Sequence, residues 1–445
     1  MLAHAIGLPF FLGISLSLMT ALSSAQSLND TDARAVTAQA ILAERNQRVL
    51  DGYLLAALAL KTQAERTRFV PEWKRNPGHL GQVVRFGLSP QAFETAKRRF
   101  QHQGYRLSWS QQYAVSSLDK VAAIWTEHES SKVQFRSRVG FERAIANYRK
   151  EVPAGLAVAA LRRGKIVFSR GFGEYEGRAV YADTAFPSLA ASQAIAGILA
   201  ARLEQEKHTA AGVPINLSLD WAIADLLPMM PSQPAFSARE VMAHTACIDN
   251  YYVEPNILES RNTGDSRPTS ATYSLAKQVW ERAPLGACVP GYLQSYSQPG
   301  YLLLGAFLEA ATGHTVEQLL KNEISDRFGL ASIQAAFVEE GNVLGLGIQS
   351  NALDFANLIN GVFNGSILSL RTSRSRLWRK VNKHSEFGLG WRLSDRNSAE
   401  ARDDTSASSV RIWIDHGDQD ALVILAAQSS REHLDTLLQD LQRLL

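Results

Sequence analysis

The chain has 445 residues, 46% of them apolar and 20% charged, with a formal net charge of +3. Such a length exceeds one compact core and implies two or three domains, and the composition excludes a disordered chain, a polytopic membrane protein and a collagen-like fibre. Near-neutral charge gives no electrostatic case for nucleic acid as a partner, and two cysteines, Cys247 and Cys288, are too few for a disulfide-stapled miniature fold or a four-cysteine zinc site.

From Leu2 to Leu22 the chain is almost wholly apolar, and then Ser23-Ser24-Ala25 sets small residues at the positions a signal peptidase reads. Residues 1–25 are therefore expected to be a signal peptide. Two features favour an uncleaved anchor instead: the segment is long enough to span a bilayer, and no Lys or Arg precedes Arg34. Both readings place the mature chain in the periplasm or outside the cell, and only the second makes the membrane a partner. In an oxidising compartment Cys247 and Cys288 would close a loop of about 40 residues, worth up to ~4 kcal/mol, with two free buried thiols as the alternative. Their Cα separation decides between them.

Residues 26–82 read as a helical segment and a connector. Asp30 to Arg68 is rich in Ala, Leu, Glu, Gln and Arg, with an interruption at Gly52, and Pro71, Pro77, Gly78 and Gly81 punctuate the connector. Residues 83–140 read as a small α+β unit. Ser89-Pro90 opens a helix over Gln91–Gln103 with Phe93, Ala96 and Phe100 at helical spacing, and Gly104 ends it. Tyr105–Trp109 and Val121–Trp125 are predicted strands. Lys97-Arg98-Arg99 reads as a solvated helix face. The succession resembles the bacterial tandem repeat domain, a small unit found beside serine hydrolase domains in exported bacterial proteins, and Val133–Gly140 resembles the opening of a second copy.

Residues 141–445 read as one large unit. A helix near Phe141–Lys150 precedes two strands, Leu156–Leu161 and Ile166–Arg170, joined by the hairpin signal Arg162-Arg163-Gly164-Lys165. Helices dominate from about Ser188 to Phe363. Val410–Ile414 and Ala421–Ala427 are predicted strands, and Arg431–Leu445 is an amphipathic helix with Leu434, Leu437, Leu438, Leu441 and Leu445 on one face. Strands at both ends with helices between imply that the terminal segments share one sheet, an α+β fold.

Ordered landmarks make this unit more specific: Gly164 to Gly173, Asp183-Thr-Ala-Phe186, Leu219-Asp220, Leu226-Leu-Pro228, Glu240-Val-Met-Ala-His244-Thr-Ala246, Pro290-Gly291, Tyr296-Ser-Gln298, Gly300 to Gly305, Phe387-Gly-Leu-Gly390-Trp391 and Asp415-His416-Gly417. Their succession resembles the serine β-lactamase and penicillin-binding-protein superfamily, in its class C and esterase-like branch. The resemblance implies a β-lactamase-like fold, an antiparallel sheet flanked by helices plus a helical subdomain. It also implies nucleophilic catalysis by a Ser at the head of a buried helix. A Lys three residues later, a Tyr from a Tyr-x-Asn segment, and a His or Lys before Gly on the opposite wall would assist. No cofactor or metal is implied.

Register from Phe186 and the apolar helix Leu189–Leu203 places Ala190 at the nucleophile and Gln193 at the lysine. Alanine has no nucleophile, and glutamine takes no proton near neutral pH. Ser188 and Ser192 point about 200° away around a helix, and neither has a Lys three residues on. Tyr296 stands where the tyrosine belongs, with Gln298 for Asn; His416 keeps the third motif, with Asp418 where the family has Gly. His244 reads as structural. The departures together predict a degenerate enzyme whose cleft binds a peptide or peptidoglycan-derived fragment, or which scaffolds a protein partner. Loss of a catalytic serine costs on the order of 10⁶ in turnover where a triad has been dissected. The rival expectation is an active hydrolase with a non-standard nucleophile: Ser192, Ser295 or Ser297.

Overall fold

The computed structural model describes residues 36–50, 53–63, 66–76, 82–102, 105–115, 118–127, 138–207, 209–210, 212, 214–230, 235–250, 271–282, 288–336 and 342–445. The expected signal peptide lies outside these residues, as does 133–137 of the suggested second repeat copy.

The chain opens with α1 (Ala38–Leu50), the antiparallel hairpin β1 (Tyr53–Gln63) and β2 (Arg66–Arg75), then β3 (Gln82–Leu88), α2 (Pro90–His102), β4 (Tyr105–Val115) and β5 (Leu118–Glu127). The last three strands form a sheet of order β3-β5-β4. Alternation of side chains along a strand gives this sheet two apolar faces. Val83, Val121, Ala123 and Trp125 pack on Ala92, Ala96 and Phe100 of α2, whereas Val84, Ala122 and Ile124 pack on Leu55, Leu58 and Phe69 of the hairpin.

That second face explains a departure from the sequence reading. The helix expected to continue to Arg68 stops at Leu50, and Tyr53–Gln63 and Arg66–Arg68 belong to the hairpin strands. Its Ala- and Leu-rich sequence favours helix intrinsically, but packing against the sheet overrides that weak preference. Pro71, expected in a connector, sits in β2 opposite Leu58, an edge position where a missing N–H is tolerated. Arg99 is no solvated residue either: its guanidinium donates to the Phe328 and Gly329 carbonyls, both at 2.6 Å.

The large unit begins with α3 (Arg138–Glu151), whose first turn takes up the remainder of the suggested repeat copy, then β6 (Leu156–Arg162) and β7 (Lys165–Phe172). Its middle carries β8 (Ala185–Pro187), α4 (Ser192–Glu206), α5 (Ala238–Met242), α6 (Ala271–Arg282), α7 (Gly300–Thr312), β9 (Ile348–Asn351) and α8 (Ala352–Phe363). It closes with β10 (Arg392–Leu393), β11 (Ser398–Asp404), β12 (Ser408–Asp415), β13 (Asp420–Ala427) and α9 (Arg431–Leu444). The two chain ends do share one antiparallel sheet, in the order β10-β11-β12-β13-β6-β7.

Strands β6 and β13 are buried on both faces, which is why they read as continuous apolar runs. Leu422, Ile424 and Ala426 face Phe141 and Ile145 of α3 and Leu434, Leu437 and Leu441 of α9. Ala421, Val423 and Leu425 face the larger core built on α4, α7 and α8. Buried ion pairs fasten the N-terminal elements to this unit: Arg45 grips Asp183 at 2.8 and 3.0 Å, and Arg85 reaches Asp354 at 3.0 Å and Asp183 at 3.5 Å. Among the described residues no helix is long and apolar enough to cross a membrane.

Candidate active site

The cleft lies where the head of α4 meets β11 and the loop before α7. Strand β8 pairs with β9 through Phe186 and Ser350, and Phe186 is buried against Tyr175 with ring centroids 4.7 Å apart. Ser188 then donates its N–H to the Ile348 carbonyl and shares a hydroxyl hydrogen bond of 2.8 Å with Ser350. Between this anchor and α4 the backbone makes one 3₁₀ turn, Leu189–Ala191, entered with Leu189 at φ +50°. A leucine held there costs about 1–3 kcal/mol and persists only where its surroundings over-determine it. The strain falls one residue before Ala190.

Close backbone contact sets the opposite side of α4. A Cβ on Gly197 would stand 1.9 Å from the Leu389 carbonyl oxygen, and one on Gly390, at φ +76°, 2.0 Å from that of Gln193. Only glycine permits either approach. The Phe387–Trp391 landmark is therefore a packing device that holds the loop before β10 on the head of α4.

Gln193 is buried and central. Its Nε2 donates to the Tyr296 hydroxyl at 2.9 Å, and its Oε1 lies 3.2 Å from His244 Nε2. His244 Nδ1 accepts the Ser297 N–H at 3.2 Å, which fixes the tautomer: the ring proton sits on Nε2 and goes to Gln193. Tyr296 also hydrogen-bonds the Gln298 side chain. This chain of contacts holds no ionised member near neutral pH. Burial drives the His244 pKa down to about 3 despite the Ser297 hydrogen bond. Burial also raises that of Tyr296, with Asp403 adding to the shift and the two glutamines opposing it. The segments carrying these groups are stitched together: Ser295 donates its N–H to the His244 carbonyl at 2.7 Å, and Cys247 is bonded to Cys288 with their Cα atoms 5.7 Å apart. The alternative of two free thiols is thereby settled.

The opposite wall is β11. The Ala190 backbone N–H donates to Asp403 Oδ2 at 3.1 Å, so a carboxylate caps the N–H at the head of the helix. Burial raises the Asp403 pKa, an effect that the Ala190 and Asp404 N–H groups and Arg411 only partly offset. Arg402, Arg392 and Arg431 add positive charge around the cleft, and Glu386 and Glu400 lie beside Arg392 at 3.2 and 3.5 Å. The cleft measures about 380 Å³.

Four of the five predicted positions thus meet there: Ala190, Gln193, Tyr296 and Gln298 all line the cleft. His416 does not. It follows β12, stacked on Trp378 at 5.3 Å with its N–H on the Asn397 carbonyl. Asp415 pairs with Ser398, and from Ser398 to Asp403 the strand runs about 17 Å. Asp418 is in the same remote turn, its N–H on Asp415. The wall expected from Asp415–Asp418 is formed instead by Arg402 and Asp403. The signal lies in the order of elements, since β11 is the first full strand after Trp391, whereas the His-Gly match falls one strand later. Two of the three proposed alternative nucleophiles are otherwise engaged. Ser192 Oγ is buried and accepts the Ile348 N–H at 3.1 Å; Ser297 Oγ is buried and accepts the Gly300 N–H at 3.2 Å. Ser295 is half-buried and is not part of the cleft wall. Among the described residues lining the cleft there is neither a serine nor a lysine.

No curated protein sequence matches the chain. Solved structures do. A penicillin-binding protein homologue from Pyrococcus abyssi, an octamer, superposes with a TM-score of 0.55 at 16% identity, covering 69% of this chain and 77% of its own. A mutant class C β-lactamase with one tyrosine changed to phenylalanine gives 0.55 at 14%, covering 70% and 98%. The hydrolase EstCE1, described as having promiscuous acyltransferase activity, gives 0.54 at 17%, covering 68% and 98%. At these identities the likeness shows a shared fold. The Beta-lactamase family model matches residues 141–443, and on that match the chain belongs to the serine β-lactamase and penicillin-binding-protein-like superfamily.

Proposed function

We propose that this chain is an exported, non-acylating member of its family, whose cleft binds a peptide or cell-wall fragment without forming a covalent intermediate. One observation carries the reading: the head of α4 presents a methyl group at Ala190 and a neutral amide at Gln193, with the Ala190 N–H already hydrogen-bonded to Asp403. Neither the Ala190 methyl group nor the Gln193 amide can attack a carbonyl or remove a proton near neutral pH, so the serine and lysine chemistry of the family has no carrier at these two positions. Strain at Leu189 and close packing at Gly390 support a cleft held in shape. The Cys247–Cys288 disulfide supports export, since such bonds persist in oxidising compartments.

A fluorophosphonate probe and a fluorescent penicillin, each incubated with purified protein, test the reading. The expected result is no stoichiometric label, together with saturable binding of soluble muropeptides by calorimetry. Stoichiometric labelling would establish an active hydrolase with another nucleophile. Absence of muropeptide binding would leave the scaffold role, in which a protein partner supplies the chemistry.

A further inference from the structure

The hairpin turn Arg162-Arg163-Gly164-Lys165 places three cations in four residues, a self-repelling arrangement that the cleft does not use. The turn forms one wall of a separate pocket of about 880 Å³, at the seam between the N-terminal elements and the large unit. Arg99 and Thr95 of α2 come from one side; α8 contributes Asn360 from the other, and Asn364 just beyond its end. The volume lies within the range of small-molecule sites, roughly 300–1,000 Å³.

The polar lining is rich in hydrogen-bond donors. Among the described residues no carboxylate lines the pocket, whereas the α4 cleft pairs its arginines with Glu386 and Glu400. Among the same residues neither Arg163 nor Lys165 forms a side-chain ion pair, and Asp420 beneath the turn is engaged by the Arg163 backbone N–H at 2.7 Å. Asn364 has its oxygen committed to the Ser366 N–H at 2.9 Å, which leaves its amide hydrogens to the pocket. Ile166, Phe328 and Leu330 add an apolar floor.

We infer that this pocket is a second binding site, for a small anionic carbohydrate. The cations receive its carboxylate or phosphate, and the Asn364 amide donates to its hydroxyls. Both units of the chain contribute, so the N-terminal elements complete a site that the large unit lacks alone. Nothing in this assignment depends on the chemistry of the α4 cleft.

Calorimetric titration of the full chain with glucuronate, glucose 6-phosphate, inorganic phosphate and glucose tests it. Saturable binding of glucuronate or glucose 6-phosphate is expected, with glucose at least tenfold weaker, and the tighter of the two identifies the anionic group. An Arg163→Ala, Lys165→Ala double variant should lose on the order of tenfold or more in affinity, with an unchanged melting temperature. Asn364→Ala should weaken the sugar acid or sugar phosphate and leave inorganic phosphate unaffected. The proposal is overturned if neither anionic sugar binds, if phosphate binds as tightly as its sugar ester, or if the double variant binds like the native chain.

Discussion

Ala190 and Gln193 carry neither a hydroxyl nor an amine, and under the proposed reading installing both is not expected to give activity. An Ala190→Ser, Gln193→Lys variant regains a hydroxyl and an amine one turn apart, but the N–H that would face a developing oxyanion stays hydrogen-bonded to Asp403. Esterase activity on a p-nitrophenyl ester should therefore stay at background in the double variant and rise only when Asp403→Gly is added. Activity in the double variant alone would show that Asp403 yields to substrate. A half-buried carboxyl and a buried imidazole also set opposite dependences on pH. The Asp403 pKa is raised on folding, so its contribution is intact below the unfolded value of about 3.9 and is lost as pH rises through the folded value. Asp403→Asn should consequently raise the melting temperature at pH 7 and leave it unchanged near pH 3.5. His244 has the opposite sign. Its pKa falls from 6.5 to about 3, so its contribution is present above pH 6.5 and drains away as pH falls toward 3. The larger shift at His244 outweighs that at Asp403, and thermal melts should show stability falling through that window by an amount on the order of a few kcal/mol.

The elements around the cleft are held by one covalent link. Cys247 follows the His244 segment, and Cys288 precedes the loop carrying Tyr296, 41 residues away in sequence. Chain entropy makes such a closure worth ~4 kcal/mol, so a Cys247→Ser, Cys288→Ser variant should melt well below the native chain, and reductant should lower the native melt toward it. The elements of the large unit were legible in the sequence because periodicity and landmark agree. The apolar run of β13, short and rich in branched residues, and the leucine stripe of α9, at helical spacing, each carry a local signal that matches the fold. The cleft was half legible. Ala190 and Gln193 follow from register along a continuous helix, and Tyr296 from an unbroken motif. Asp403 was not legible, because nothing local marks a polar residue on a strand as the partner of a backbone N–H brought up from 213 residues away. His416 misled for the converse reason, a motif surviving in letters at a turn the fold carries elsewhere. The β1–β2 hairpin failed in a third way. Its Ala- and Leu-rich composition encodes helix locally, and only the sheet it covers makes it a strand.

Across the whole molecule, the N-terminal elements and the large unit are joined by a buried charge network as well as by packing. Asn351 caps α8 by accepting the Asp354 N–H, and the Asp354 carboxylate accepts both the N–H and the hydroxyl of Ser332 and faces Arg85 at 3.0 Å and Arg99 at 3.8 Å. Its carboxyl is held below the usual range: the two arginines and the Ser332 hydrogen bonds outweigh burial, which acts the other way. Leu353, the preceding residue, is buried in the cluster formed by Phe100 and Trp125 of the N-terminal unit. Removing one partner from such a network strands the others. Asp354→Ala leaves Arg85 buried with Asp183 alone at 3.5 Å, a class of change that costs about 3–5 kcal/mol. Replacing the whole contact with well-packed apolar groups would cost far less, so the charges serve to fix how the two units meet more than to raise stability. If that is their role, Asp354→Ala should abolish a single cooperative melt, giving two calorimetric transitions as the N-terminal elements release before the large unit unfolds. A chain of residues 141–445 should then melt close to the upper transition. One sharp transition in the variant, merely shifted downward, would mean that the apolar contact at Leu353, Phe100 and Trp125 suffices to couple the two units, and that the arginines are dispensable to their register.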